Sequence, residues 1–244
     1  MTDKEIGFNR HIYLPWLDET AALCSTTDNS AEIRQRLEAI LAPNIQGVET
    51  RRKAIDILLN IWFKTKTTFP GLWQDAIDSF QTTSLNDRIW LHYGLTLVTY
   101  PFVRECLQII GQSSRSGSTF TKIMVRDRLI AQRGQLGSLE RSLRYVLASL
   151  RQWGVVIGTN HKYVYQANTR AFSTSQSSLE LWLLACTLQA HPAEVIPFDD
   201  LMRLTELFPF RFSVTMDHLH MDKRFDIHRE GSGWEMVGLA SGSF

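Results

Sequence analysis

The chain has 244 residues, 44% of them hydrophobic and 21% charged, with a formal net charge of +1, the balance of a soluble globular protein with ample core. No run approaches the ~18 apolar residues of a membrane span, and MTDKEIGFNRHIYLPW lacks the basic start and apolar stretch of a secretion signal. Cys24, Cys106 and Cys186 are scattered and form no CxxC pair, which points to reduced thiols in a cytoplasmic protein rather than a disulfide framework or a zinc site.

The near-neutral total hides a segregation. From Arg115 to Arg170 there are ten Lys/Arg against two acids, Asp127 and Glu140, a local charge of +8. Residues 1–114 carry eleven basic and thirteen acidic residues (−2), and residues 171–244 carry five and ten (−5). One strongly basic block therefore sits between two acidic ones, and a local positive field attracts polyanions. Mixed signs suffice for solubility, so this skew points to a nucleic-acid partner.

In chain order, residues 1–114 read as helical. Asp28-Asn29-Ser30 offers caps for AEIRQRLEAILA, where Ile33, Leu37, Ile40 and Leu41 recur at helical spacing, and Pro43-Asn44 ends it. VETRRKAIDILLNIWFKT follows with Ala54, Ile57, Leu58, Ile61 and Trp62 on one face. Pro70-Gly71 punctuates the chain before LWQDAIDSF. RIWLHYGLTLVTYPFVRECLQIIG is a long apolar segment that Pro101 kinks or divides. Gln112–Ser118, QSSRSGS, reads as a polar linker. TFTKIMVRDRLIAQRG and SLERSLRYVLASLRQWG then predict two helices around a turn at Gln135-Leu136-Gly137, with Ser138 as an N-cap. In the second helix Leu139, Leu143, Val146, Leu147 and Leu150 form the core stripe. Arg141, Arg144 and Arg151 point in directions of about 0°, 300° and 280° at ~100° per residue, which is one exposed face. VVI and KYVYQ, separated by GTNH, alternate as a hairpin does.

Helix, turn, helix and hairpin, with the second helix basic, resembles the winged-helix variant of helix-turn-helix. That resemblance implies that Arg141, Arg144 and Tyr145 face a DNA groove. His161 and Lys162 would sit at a wing tip, and Lys122 and Arg126 would lie near flanking phosphates. Arg128 and Arg151 complete the expected DNA-binding set. With five to eight phosphate contacts the affinity would fall with salt at a log–log slope of about −4 to −7. The segments LNDRIWLHYGLTLVTYPFVRECLQIIG, TKIMVRDRLIAQRG and RSLRYVLASLRQWGVV also resemble, in layout, the BrxA family of BREX phage-defence systems. That likeness implies a small DNA-binding protein, from which this chain departs in its long acidic C-terminal third.

The C-terminal third repeats the plan. SSLELWLLACTLQAHP, IPFDDLMRLTELF and SVTMDHLHMDKRF read as three helices, and FDIHRE and WEMVG as a hairpin about Gly231-Ser232-Gly233. With its acidic balance this unit is better suited to protein interaction or dimerisation than to polyanions. The expected architecture is mainly α, a helical N-terminal bundle over 1–83, a basic winged-helix domain over 84–170 and an acidic winged-helix-like domain over 171–244.

Chemistry is sparse. His218 and His220 lie two apart, about 200° around a helix, and cannot share an ion easily. Asp199-Asp200 suits a helix start, and no GxSxG, GxxxxGK[ST] or HExxH occurs. No enzyme activity, cofactor or metal is expected. No exposed aromatic platform for single strands is visible in the sequence. The expected partner is double-stranded DNA, without a membrane. Other protein subunits would dock on the N-terminal helices and the acidic unit, where a homodimer also fits. The rival reading is a scaffold subunit whose arginine face meets an acidic protein.

Overall fold

The computed structural model describes residues 6–115, 117, 119–134, 137–230 and 233–240. After a short extended segment, α1 (Leu14–Cys24) begins at Pro15 in its first turn, and α2 (Ser30–Leu41) is capped by Asn29, whose Oδ1 accepts from the Ala31 and Glu32 amides. The third helix, α3 (Val48–Leu59), widens into a π-helical turn over Asn60–Lys64 and closes with α4 (Thr65–Thr68). There the Thr65 hydroxyl donates 2.6 Å to the Ile61 carbonyl. Pro70 opens α5 (Pro70–Phe80).

The apolar segment around Pro101 forms two helices, α6 (Arg88–Thr99) and α7 (Pro101–Arg115). Every residue of α6 from Ile89 to Val98 is buried. A helix apolar all round belongs in the middle of a fold, and the polar groups around His92 are paired there, whereas the buried Trp90 indole N–H is not. The Trp62 indole donates to His92 Nδ1 at 3.1 Å, His92 Nε2 lies 3.1 Å from Asp18 Oδ1, and the Thr96 hydroxyl donates to the His92 carbonyl. The expected linker Gln112–Ser118 is corrected in part, because α7 runs on to Arg115. The Ser113 and Ser114 hydroxyls donate back to the Ile109 and Gly111 carbonyls, so serines compatible with a loop are held in the helix. Ser116 and Ser118 lie outside the described residues.

Two three-stranded antiparallel sheets follow. The first unit runs β1 (Phe120–Thr121), α8 (Lys122–Arg133), α9 (Leu139–Gln152), β2 (Val156–Gly158) and β3 (Val164–Ala167), with strand order β1-β3-β2. Phe120 pairs with Tyr165 and Val156 with Ala167. The hairpin is as expected, but its turn is longer. Lys162 and Tyr163 belong to the turn, and Tyr163 has φ +64°. The turn residues Gln135 and Leu136 lie outside the described residues.

The second unit runs α10 (Ser177–Ala190), β4 (Val195–Pro197), α11 (Phe198–Met202), a 3-10 turn at Thr205–Leu207, α12 (Met216–His220), β5 (Phe225–Glu230) and β6 (Trp234–Leu239), with order β4-β6-β5. The expected helix IPFDDLMRLTELF is broken at both ends. Val195–Pro197 pair with Met236–Gly238, and the chain leaves α11 at Arg203. Only Met216–His220 of the expected third helix is helical. The glycine turn at 231–232 lies outside the described residues.

Like α6, α10 is buried from Leu179 to Leu188, and the Trp182 ring rests on the bare backbone of Gly94 in α6. Buried side chains from Ile6 to Val237 form one cluster. Buried Glu206 accepts from Arg104 Nε at 2.9 Å and Gln108 Nε2 at 3.0 Å, and the Tyr93 hydroxyl donates to its carbonyl. Among the described residues, no helix is long and apolar enough to cross a membrane.

Candidate nucleic-acid interface

Helix α9 is amphipathic in the way its sequence dictates. Leu139, Leu143, Val146, Leu147 and Leu150 are buried, and Arg141, Arg144 and Arg151 are exposed on the opposite side. Helix α8 is capped by the Thr121 hydroxyl, which accepts from the Met124 amide at 3.2 Å, and is seated by Val125 and Leu129. This brings Lys122, at the start of α8, beside the first turns of α9. Between them lies an open groove of about 430 Å³ lined by Lys122, Gly137, Glu140, Arg141 and Arg144.

The remaining basic residues divide. Arg126 is held by Asp127 at 2.8 Å and by Glu140 at 3.1 Å, so it ties α8 to α9 and screens the groove's one acid. Arg128 is exposed on α8 but does not line the groove. The Arg151 guanidinium sits over the Tyr165 ring of β3, 5.5 Å from its centroid, and so leans on the hairpin. At the hairpin tip His161, Lys162 and Tyr163 are exposed, with Lys162 Nζ 5.0 Å from the Tyr163 ring centre. The Tyr163 ring is 68% exposed on a left-handed backbone, a large aromatic surface offered to solvent.

Tyr145 is half-buried, and two guanidinium groups lie over its ring, Arg144 at 4.9 Å and Arg10 at 5.7 Å from its centroid. Arg10 reaches it because the N-terminal segment is laced along α9. The Ile12 amide donates to Ser149 Oγ at 2.9 Å, the Leu14 amide donates to Gln152 Oε1 at 2.8 Å, and the Trp153 indole donates to the Ile12 carbonyl at 2.9 Å. Burial lowers the His11 pKa, opposed by a bond with the Ala148 backbone. Sequence reasoning missed Arg10 and Tyr163. Nothing local ties Arg10 to a helix more than a hundred residues on, whereas Tyr163 was visible but read as a strand residue.

Elsewhere, Cys24, Cys106 and Cys186 are buried free thiols. Burial raises all three, Cys24 to about 12, which leaves them protonated and poor nucleophiles. His218 Nδ1 accepts from the Thr215 amide at 3.1 Å, so this histidine closes the start of α12. Among the described residues, no group of three or more His, Cys, Asp or Glu is placed to hold a metal ion. The chain matches no family model, no curated protein and no solved structure.

Proposed function

We propose that this chain binds duplex DNA through a winged-helix unit formed by residues 101–167. In this reading α7, α8 and α9 are the three helices, α9 enters the major groove, and the β2–β3 hairpin lies along the backbone as the wing. The order helix, strand, helix, helix, strand, strand supports it, with the first strand pairing to the last.

The observation that carries the reading is positive charge left without carboxylate partners. Of the ten Lys/Arg from Arg10 to Arg104, eight are in ion pairs. Among the described residues, Lys122, Arg128, Arg141, Arg144, Arg151 and Lys162 pair with no carboxylate. A chain that pairs eight of ten cations between Arg10 and Arg104 and leaves these six unpaired on α8, α9 and the β2–β3 hairpin has a region suited to phosphate. Arg141 or Arg144 would supply any bidentate contact to guanine. Phage defence as the setting is proposed from the resemblance to the BrxA family alone.

The test is binding of a labelled 30-mer duplex of arbitrary sequence across a salt series. Expected are micromolar or tighter binding at low salt, a slope of about −4 to −7, and loss of binding in Arg141→Glu, Arg144→Glu. Glu140→Gln removes the groove's acid and should tighten binding about two- to fivefold, the scale of an exposed charge interaction. Absence of binding at low salt, or indifference to the double variant, overturns the reading. The arginine face would then be assigned to an acidic protein partner.

A further inference from the structure

A second recess adjoins α9. It measures about 700 Å³ and lies between the N-terminal segment, the turn joining α2 to α3, and the Tyr145 ring. That volume is within the ~300–1,000 Å³ range of small-molecule sites. One wall is aromatic. The His11 and Tyr13 ring centroids are 4.1 Å apart, Tyr13 and Trp16 are 4.5 Å apart, and Tyr13 remains 38% exposed. Another wall carries amides and a hydroxyl, from Asn44, Gln46 and Thr50.

Arg10 is the one charged side chain among the lining residues, which include no Asp or Glu. Arg10 stands at the cleft over Tyr145. Helix α3 also begins here, at Gly47, with no side chain accepting from its first amides. This is the positive end of a twelve-residue helix, with Glu49 already in its first turn. A partly exposed tyrosine ring, amides that both donate and accept, a guanidinium and a lining without carboxylates match a nucleotide. The base would stack on Tyr13, its edge would meet Asn44 or Gln46, and its phosphate would meet Arg10 or the start of α3.

The cleft and the basic groove meet through neighbouring residues of α9. Arg144 lines the groove and stacks on Tyr145, and Tyr145 lines the cleft. A strand passing Arg144 therefore arrives at Tyr145 and then at the aromatic wall. We propose that this cleft takes one unpaired nucleotide, the first beyond the end of a duplex held along α9, so that the protein recognises a duplex bearing a single-stranded tail. The inference rests on the proposed duplex reading for the path of the strand.

Deoxyadenosine monophosphate tests the cleft without any duplex, by saturation-transfer NMR and calorimetry on the full chain. Saturable binding is expected, weakened at least about tenfold by Tyr13→Ala, which removes a stacking face, and by Gln46→Glu, which places a carboxylate in the cleft. Both positions are on the surface, and unchanged far-UV spectra exclude unfolding as the cause. A duplex with 2-aminopurine as its first unpaired base should bind about tenfold tighter than the blunt duplex, with the fluorescence quenched by stacking. Monophosphate binding that ignores both variants, or no binding together with no gain from the tail, overturns the proposal. Cleft-dependent monophosphate binding without blunt-duplex binding keeps the nucleotide site and rejects the duplex reading. Blunt-duplex binding with neither monophosphate binding nor a tail effect does the reverse.

Discussion

His92 shows how one buried polar side chain acquires a fixed chemical form. The Trp62 indole can only donate, so His92 Nδ1 must accept, and the ring proton lies on Nε2 facing Asp18. Burial lowers the ring's pKa and nearby Arg88 adds to that, while Asp18 opposes it. The folded protein therefore holds a neutral ring at a pH where the unfolded chain, with a pKa near 6.5, takes up a proton. Stability from this group is complete above about pH 6.5 and is lost as pH falls toward the lowered folded value, at up to about 1.4 kcal/mol per pH unit. Thermal unfolding between pH 7.5 and 5.5 should show a falling Tm. His92→Gln, which can still accept from Trp62 and donate to Asp18, should flatten part of that slope. An unchanged slope in the variant would remove His92 from the account. None of this was legible in RIWLHYGL, because Trp62 and Asp18 are brought to His92 by packing rather than by spacing.

At the scale of elements, legibility followed pattern length. The stripe of α9 spans fourteen residues with leucines at helical spacing, and its arginine face emerged where the angles placed it. Pro101 divided α6 from α7 for a covalent reason that any reader of the chain can see. By contrast, β1 and β4 are two and three residues long and exist only through pairing with strands far along the chain, so no local period announces them. The end of α7 reads as a linker from Gln112 on because its serines are compatible with a loop. Gly111, just before them, is set by packing. A Cβ at this position would collide with the Thr205 carbonyl oxygen, and backbone cannot rotate aside. Alanine gains about 1 kcal/mol in helix preference, whereas forcing a core apart costs about 1–3 kcal/mol and sometimes more. The collision should win. Gly111→Ala is expected to lower the Tm by several degrees, on the scale of about 2–4 °C per kcal/mol for a chain of this size. A Tm equal to or above that of the unsubstituted protein would mean that α7 and the Thr205–Leu207 turn do not pack this closely.

At the scale of the whole molecule, one strand order occurs twice, β1-β3-β2 and β4-β6-β5, on units of opposite charge. The second unit's counterpart to α9 in chain order is α12, five residues long with Asp217 in its first turn and no arginine. What the second unit supplies instead is burial. Trp182 lies on Gly94, its indole donates to the Leu72 carbonyl, and Glu206 gathers Arg104, Gln108 and Tyr93. The sequence shows the repeated plan through its hairpins and helices, but it cannot show that α6 and α10 pack together, since each is buried all round and names no partner. That packing predicts cooperative behaviour. The full chain should unfold in a single thermal transition seen alike by far-UV and tryptophan signals. A chain ending at Arg170 would expose the α6 face built around Gly94 and Trp90, and should lack a cooperative transition even though the whole basic unit is present. If that shorter chain instead melts cooperatively and holds duplex DNA with its affinity intact, the acidic unit is separable. Its close packing would then be a docking arrangement rather than part of the core that positions α9.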